Sequence, residues 1–369
     1  PVEIVTHESV RRRGGGFSTC GCWYTDTEFV LKGLQIMCGI AGFVNDMPID
    51  VKCPVLQRMT DMIAHRGPDS EGHYIDEHAA LGHRRLSIID LGGGQQPIYN
   101  EDGSKVITFN GEIYNYQTLR EELIAAGHTF TTKSDTEVLL HGYEQWGVDL
   151  LQRVRGMFTF VIWDKNKQEL FGARDHFGIK PFYYAKMNGT FMYASEIKSL
   201  LRHPDSVKEL NAEALKPYMT FQYPAIGETF FKGVYKLPEG HYFTYRDGKM
   251  DIHRYYDEDF REGKQKLGEL VNSIDQTVCD SVKAHQIADV EVGSFLSSGV
   301  DSSYVAAVAR PQHTYSIGFG KGTYNESQQA GELAELLKLN NTAESLTDEE
   351  AFAAFPRIQW HLDEPDSNP

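Results

Sequence analysis

The pattern of apolar residues changes across a charged, aperiodic stretch at residues 257–266. Before this stretch, runs of β-forming residues stand apart from amphipathic helical segments, which is typical of a layered α+β domain. After it, strand and helix patterns alternate, which predicts a parallel sheet. The sequence therefore predicts two domains of different architecture joined by a linker, and the length of 369 residues also favours more than one domain.

Residues 1–36 differ from both of these parts because they show no sustained helical or strand period. They hold four basic and four acidic residues, so the formal net charge of −16 lies entirely further along the chain. We predict an N-terminal extension at 1–36, an α+β domain at 37–257 and an α/β domain at 258–369. Met37 opens the well-patterned part, and we interpret it as the true start. The last domain, with two predicted strands, is too small for a complete sheet, so we expect it to be truncated.

The composition excludes several classes of function. A net charge of −16 argues against nucleic acid or an anionic membrane as the main partner, because both require a basic face. No stretch approaches the roughly 18 uninterrupted apolar residues of a membrane-spanning helix. Five cysteines, an odd number, make a disulfide framework improbable. We therefore expect a cytoplasmic protein.

Helical and strand periods predict the elements of the first part. Apolar spacing predicts a helix over Val55–Ala64, and Asn115 is expected to cap a second helix. Ser134-x-x-Glu137 has the form of a capping box, which would begin a third helix. The strands of this part are expected at 106–109, 157–163, 182–185, 191–194 and 241–245.

The second part begins with a helix that carries an apolar stripe from Leu267 to Val282. Thr347-x-x-Glu350 is expected to cap a last helix. The acidic run that starts at Asp363 is interpreted as a solvated loop rather than a metal site. The elements predicted between these features are a strand at Val290–Leu296, a helix at Ser302–Ala309, a strand at Thr314–Phe319 and a helix at Glu326–Leu339.

Cys38 directly follows the expected start and is a candidate nucleophile. If Met37 is removed, Cys38 carries both a thiol and a free α-amino group. An α-amine titrates near ~7.7–8.0, far closer to neutrality than lysine, so it can accept the thiol proton in place of a histidine. Taken alone, the position of Cys38 favours a small apolar residue of a strand over a nucleophile.

An ordered set of motifs begins at this cysteine. They are Met37-Cys38-Gly39-Ile40-Ala41-Gly42-Phe43, His65-Arg66-Gly67-Pro68-Asp69, Arg85-Leu86-Ser87-Ile88-Ile89-Asp90, Asn110-Gly111-Glu112-Ile113-Tyr114-Asn115, Ser134-Asp135-Thr136-Glu137, Arg174-Asp175-His176-Phe177-Gly178-Ile179-Lys180-Pro181 and Ala194-Ser195-Glu196-Ile197-Lys198. Together they resemble the N-terminal-nucleophile glutaminase domain of class II glutamine amidotransferases, and over residues 37–369 the nearest family is glutamine-hydrolysing asparagine synthetase. The resemblance implies a four-layer αββα glutaminase domain followed by an incomplete α/β parallel-sheet domain of the ATP-pyrophosphatase type.

The resemblance assigns roles at the first site. Cys38 would attack the glutamine side-chain amide, and the Asn110 amide with the Gly111 N–H would form the oxyanion hole. Arg85 would bind the α-carboxylate of glutamine and Asp135 its α-ammonium group. Read without the family, Asn110-Gly111 is typical of a hairpin turn and Asp135 of a first helical turn. The resemblance also places Leu86, Ser87, Ile88, Ile89 and Glu112 in the glutamine pocket.

A small-residue loop lies between the strand at Val290–Leu296 and the next helix. Backbone N–H groups at a helix N-terminus suit phosphate binding, and the loop resembles the pyrophosphate loop of enzymes that cleave ATP to AMP and pyrophosphate. Ser298 stands where that loop usually has glycine. Asp301 is the natural carboxylate for Mg²⁺, and Leu296 and Ile317 match positions that enclose adenosine. The loop comprises Ser297, Ser298, Gly299, Val300, Asp301, Ser302 and Ser303.

The resemblance implies a complete reaction with glutamine, aspartate and ATP as substrates. Ammonia from glutamine would attack β-aspartyl-AMP to give asparagine, AMP and pyrophosphate, with ATP and Mg²⁺ at the second site. A homodimer is compatible with the family. Three alternatives stay open: amidation of another carboxylate, glutamine hydrolysis alone, and a non-catalytic glutamine-binding module.

Overall fold

The computed structural model describes residues 37–221, 223, 226–319 and 326–365. The extension expected at 1–36 and Asp366 of the acidic run lie outside these residues. Residues 259–358 form one compact unit. Residues 37–258, together with residues 359–365, form the other, which we call the first unit.

The first unit contains two antiparallel sheets of six strands each, in the orders β10-β8-β9-β1-β3-β2 and β12-β11-β7-β6-β5-β4. Its strands are β1 (Gly39–Val44), β2 (Ser70–Ile75), β3 (Ala79–Arg85), β4 (Ile98–Tyr99), β5 (Lys105–Ile113), β6 (Gly156–Asp164), β7 (Glu169–Arg174), β8 (Tyr183–Met187), β9 (Thr190–Ala194), β10 (Val234–Lys236), β11 (His241–Arg246) and β12 (Lys249–Arg254). Its helices are α1 (Ile49–Asp61), α2 (Tyr116–Ala125), α3 (Asp135–Trp146), α4 (Ile197–Leu200) and α5 (Ala212–Phe221), with a 3₁₀ helix at Gly147–Gln152.

Three apolar cores order these elements into four layers. The two sheets face each other across a core that contains Trp163 and Phe191. Helices α1 and α4 cover the outer face of the first sheet, where Leu56 is fully buried. Helices α2 and α3 cover the second sheet, where Leu139 is fully buried. The αββα arrangement expected from the family resemblance is confirmed. Each sheet buries one face against the other sheet and its second face against helices.

The structure corrects several local predictions in this unit. Helix α1 begins at Ile49, earlier than predicted, and continues through Pro54. Asn115 precedes α2 without capping it, because its side chain bonds the backbone of Arg153 and Arg155 instead. Two hydrogen bonds to the segment at Arg153 and Arg155 take the place of the local cap.

The capping box predicted at the start of α3 is only half formed. Ser134 caps the helix by accepting a hydrogen bond from the Thr136 N–H. The Glu137 carboxylate does not return to the Ser134 backbone; it accepts hydrogen bonds from the backbone and hydroxyl groups of Thr131 and Thr132. Glu137 therefore stabilises the loop that leads into α3. The start of α3 lines the site described below.

The second unit has a parallel sheet in the order β13-β14-β15, as the alternating pattern predicted. The strand expected at Val290–Leu296 is reduced to two residues, and the third strand, β15, was not predicted because its polar sequence lacks an apolar period. The Thr347–Glu350 capping box is confirmed. The elements are α6 (Leu267–His285), β13 (Ser294–Phe295), α7 (Val300–Ala309), β14 (His313–Phe319), α8 (Ser327–Leu337), β15 (Asn340–Leu346) and α9 (Asp348–Leu362).

The apolar stripe of α6 is exposed for most of its length. Leu267 is 77% and Val271 55% exposed, whereas Val282 near the end of the helix is buried. Among the helices of the described residues, none is long and apolar enough to cross a membrane.

A cluster of ionisable side chains ties α3 to the loops beside it. The His141 imidazole is buried, and its Nδ1 lies 3.2 Å from Glu144 and 3.3 Å from Glu101. Its Nε2 lies 3.5 Å from Glu137. Burial alone would lower the pKa of His141, but the adjacent carboxylates of Glu137, Glu144 and Glu101 outweigh it and raise the pKa to about 9. The imidazolium is therefore the stable form at neutral pH.

This cluster should make stability depend on pH. The pKa of His141 rises from an ordinary 6.5 to about 9 on folding, so its stabilisation is fully present below pH 6.5 and is lost as the pH passes 9. A His141→Gln variant should lose about 2 kcal/mol at pH 6.5 and little at pH 10. Urea unfolding of both proteins across this range tests the effect, with His253→Gln as the exposed control. An equal loss at both pH values would contradict the assignment.

Candidate functional site

One cleft in the first unit opens between the ends of β1, β3 and β5 and the start of α3. It encloses about 450 Å³ of space, part of it open to solvent. The segments that form it are far apart in sequence and meet because the two sheets pack face to face. The cleft is lined by Met37, Cys38, Arg85, Leu86, Ile88, Ile89, Gly94, Gln96, Phe109, Asn110, Gly111, Glu112, Ser134, Asp135 and Thr136.

Cys38 lies immediately before β1 and points its sulfur into this cleft. Sγ lies 3.3 Å from the Leu86 N–H, which donates to it, and 3.4 Å from the Leu86 carbonyl oxygen. Burial raises the pKa of the thiol, while the bond from Leu86 and the charges of Arg85 and Lys180 oppose that rise. A thiol in this environment needs a nearby base to become a thiolate.

Asn110 and Gly111 lie within β5, opposite Thr159 and Phe158 of β6, and do not form a hairpin turn. The N–H and C=O of Phe158 bond to Asp175, so β5 and β6 do not exchange hydrogen bonds at this position. The Gly111 N–H is thereby directed away from β6. A Cβ at Gly111 would lie 2.1 Å from the Met157 carbonyl oxygen, so only glycine allows the two strands to approach here.

Two polar side chains in the cleft are buried without partners. Among the described residues, neither the Asn110 amide atoms nor the Glu112 carboxylate oxygens make a hydrogen bond. Burial raises the pKa of Glu112 to about 7, with the charge of Lys180 acting against that rise. Buried polar atoms in native proteins are nearly always paired, so groups left open around a cleft indicate a polar ligand.

Arg85 and Asp135 provide opposite charges on the same cleft. Nη2 of the buried Arg85 guanidinium donates to the carbonyl oxygens of Ile89, at 3.1 Å, and Asp90, at 2.6 Å. Asp135 accepts the Ile113 N–H at 2.9 Å, and burial raises its pKa to about 6. The arrangement can bind a ligand that carries both an anionic and a cationic group.

Of the remaining residues expected in the glutamine pocket, Leu86, Ile88 and Ile89 line the cleft. Ser87 does not; its N–H donates to Asp69 at the outer side of the loop.

Three residues that line the cleft, Gly94, Gln96 and Phe109, belong to none of the motifs, and Lys180 beside the cleft had no predicted role. The Gln96 side chain bridges β5 and α3, since its Oε1 accepts the Phe109 N–H at 2.6 Å and its Nε2 donates to Thr136 at 3.2 Å. The buried Lys180 ammonium lies 2.7 Å from the sulfur of Met37. Lys180 lies in the motif at 174–181, which carried no predicted role. Membership in that motif is the sequence feature that could have identified Lys180.

The rest of that motif holds a loop together. The Arg174 guanidinium donates to the carbonyl oxygens of Gly178, Lys180 and Leu237. The neighbouring Asp175 carboxylate accepts four backbone N–H groups, including that of Lys180. These bonds hold the backbone of Lys180 rigidly, which keeps its ammonium group next to the cleft.

The second candidate site is the loop between β13 and α7. Ser297 and Ser302 join their hydroxyls at 2.8 Å, and Gly299 precedes the first residue of the helix, Val300. Ser298 and Gly299 are exposed, and Asp301 is exposed in the first turn of α7. The loop therefore combines an exposed helix N-terminus with one exposed carboxylate in the first helical turn, which suits a phosphate with a bound cation.

Leu296 and Ile317 lie at the carboxyl ends of adjacent parallel strands. The Leu296 N–H donates to the Tyr315 carbonyl oxygen at 2.8 Å, and the Ser316 hydroxyl donates to the Leu296 carbonyl oxygen at 2.7 Å. Ligands of open α/β sheets bind at this end of the strands. The two residues are thus brought to the same edge as the loop at Ser297.

Comparison with known families divides the chain in two. The sequence profile of the glutamine amidotransferase domain matches residues 37–256, and that of asparagine synthase matches residues 273–369. The first match covers more than half of the chain and includes every residue of the cleft.

Named relatives agree with these matches. The chain is 43% identical to asparagine synthetase [glutamine-hydrolyzing] 1 of Bacillus subtilis, over 90% of this chain and 54% of that protein. It is 32% identical to a Methanocaldococcus jannaschii protein provisionally named asparagine synthetase [glutamine-hydrolyzing] 2, over 89% of this chain and 68% of that protein. The chain thus spans about half the length of the first of these relatives.

Among solved structures, glutamine phosphoribosylpyrophosphate amidotransferase of B. subtilis aligns over 83% of this chain and 65% of its own, with a TM-score of 0.46 and 16% identity. Both domain profiles and the named relatives lead to one assignment: the chain belongs to the glutamine-hydrolysing asparagine synthetase family.

Proposed function

We propose that the first unit hydrolyses glutamine to glutamate and ammonia with Cys38 as the nucleophile. The observation that carries the proposal is the pair of unpartnered, buried polar groups of Asn110 and Glu112 beside the Cys38 sulfur. An amide ligand would supply the missing hydrogen-bond partners. A buried donor or acceptor that makes no hydrogen bond costs free energy.

The chemistry starts from the N-terminus that removal of Met37 would create. The α-amine of Cys38 would accept the thiol proton, and the thiolate would attack the amide carbon to form a thioester and release ammonia. The Leu86 N–H already lies 3.3 Å from Sγ and stabilises negative charge on it. Water would then hydrolyse the thioester to glutamate.

The cleft supplies the groups that this reaction requires. The Asn110 amide and the Gly111 N–H would stabilise the oxyanion, since neither is committed to β6. Arg85 would bind the α-carboxylate and Asp135 the α-ammonium of glutamine. Glu112, Leu86, Ile88 and Ile89 would complete the pocket.

For the second unit we propose a part in the ATP-dependent activation of aspartate, which ammonia would convert to asparagine. The loop at 297–303 would bind the pyrophosphate of ATP, and Leu296 and Ile317 would enclose the adenosine. Asp301 is suited to Mg²⁺ because one carboxylate with phosphate oxygens is a common magnesium donor set. When bound, the ion would neutralise charge on the phosphates. The cytoplasmic location and a homodimer stay predictions.

The experiment supplies glutamine, aspartate, ATP and Mg²⁺ to the chain and measures glutamate, asparagine and pyrophosphate separately. Glutamate release supports the role of the first unit. Pyrophosphate that depends on aspartate supports the second, and dependence on another carboxylic acid would favour the related amidotransferase instead. If no glutamate forms while glutamine still binds, the first unit is a non-catalytic glutamine-binding module.

A further inference from the structure

A chain of buried charges starts at the backbone of the nucleophile. The Arg66 Nε donates to the Cys38 carbonyl oxygen at 3.1 Å, and its Nη1 donates to Glu196 Oε1 at 3.0 Å. The His65 imidazole contacts the same carboxylate oxygen at 2.9 Å. Glu196 therefore positions the guanidinium that donates a hydrogen bond to the Cys38 carbonyl oxygen.

The same chain continues to residues close to the end of α9. Lys198 Nζ bonds the second oxygen of Glu196 at 2.5 Å and lies 2.9 Å from Asp363 Oδ1. The Lys198 N–H also donates to Asp363 Oδ2 at 3.3 Å, and the Trp360 ring lies 4.6 Å from Nζ. The side chains of Lys198 and Asp363 are only 8% and 7% exposed. The acidic run interpreted as a solvated loop is thus buried at Asp363, because it meets a buried lysine.

Alternating charges make each member of this chain depend on the next. Burial alone would raise the pKa of Glu196, but the bond from His65 and the charges of Arg66 and Lys198 lower it to about 2. A buried ion that loses one partner is left uncompensated and must rearrange or take up water. Loss of Asp363 would leave Lys198 in contact with Glu196, the His361 carbonyl oxygen and the Trp360 ring. Glu196 would then share its charge differently between Lys198 and Arg66.

The end that would move is the peptide of Cys38. Arg66 fixes the carbonyl of this residue, and the orientation of that peptide determines where Sγ lies relative to the Leu86 N–H. Displacements of about 1 Å at a reacting atom can cost on the order of 10²-fold in rate. A contact distant from the cleft can therefore affect the reaction without touching the substrate.

We propose that Lys198 and Asp363 are positioning residues for glutamine hydrolysis, which hold Cys38 in place through Glu196 and Arg66. The inference rests on the proposed function of the first unit and adds to it a requirement for residues near 363. These residues follow the whole of residues 259–358 in sequence, yet they belong to the same compact unit as the cleft.

The test uses the full chain with Asp363→Asn and Lys198→Met, because both replacements keep the size of the side chain and remove its charge. Glu364→Gln is the matched control, since Glu364 accepts a hydrogen bond from Tyr183 and, among the described residues, does not pair with Lys198 or Glu196. For each protein, kcat and KM for glutamine, the thermal midpoint and the rate of alkylation at Cys38 are measured, the last by peptide mass spectrometry.

We expect Asp363→Asn and Lys198→Met to lower kcat about 10-fold with KM nearly unchanged, and to change Cys38 alkylation several-fold. Glu364→Gln should behave as the parent, and Lys198→Arg should recover most of the kcat lost in Lys198→Met. A lower thermal midpoint with unchanged kcat and alkylation would overturn the proposal and leave a purely structural contact. If the parent chain releases no glutamate, the proposed function fails, while alkylation at Cys38 still decides whether the charge chain positions the thiol.

Discussion

A Cys38→Ala variant should release glutamate at least roughly 10⁴-fold more slowly than the parent chain, because no other group in the cleft can form the thioester. Its affinity for glutamine should stay close to that of the parent, since Arg85 and Asp135 are untouched. Glutamate release and glutamine binding, measured on the same preparations, test both statements. Cys53→Ala is the control, as Cys53 is exposed on α1. Persistent hydrolysis by Cys38→Ala would exclude the thiol mechanism.

The same mechanism requires a free α-amine on Cys38. Active protein should therefore yield Cys38 as its first residue in N-terminal sequencing. Protein that retains Met37, or that carries a blocked amine, should bind glutamine but hydrolyse it poorly. Full activity in protein that still begins with Pro1 or Met37 would show that another group accepts the thiol proton.

An Asn110→Ala variant should lose turnover by roughly 10²-fold or more, because it removes one oxyanion donor that acts chiefly in the transition state. The side chain makes no hydrogen bond to the described residues, so its removal should cost little stability. Steady-state kinetics and a thermal midpoint separate the two effects.

Arg85→Ala provides the contrast for this prediction. Removing the partner of the glutamine α-carboxylate should weaken glutamine binding by about 2–4 kcal/mol, as for loss of one side of a desolvated charge pair. Its effect should appear mainly in KM. If Asn110→Ala also changed only KM, its place in the oxyanion hole would be wrong.

The sequence by itself determined the layered architecture and the composition of the first site. The strand and helix periods before residue 257 predicted an α+β domain, because each sheet and helix must bury an apolar face. The ordered motifs that begin at Met37 contain nearly all residues of the cleft, including Asn110, Arg85 and Asp135. Ser87 was the exception, because it does not line the cleft and its N–H donates to Asp69.

Only the tertiary structure decided how these groups are held. Glycine at position 111 is required by the close approach of β6, and Glu137 serves a loop instead of its helix cap; both depend on segments distant in sequence. Strand β15 is polar and forms because a neighbouring strand offers its edge. The charge of Asp363 looked solvated because its partner, Lys198, lies 165 positions earlier. Local patterns report which face of an element is apolar, whereas the pairing of buried charges follows from which distant segments the folded chain brings together.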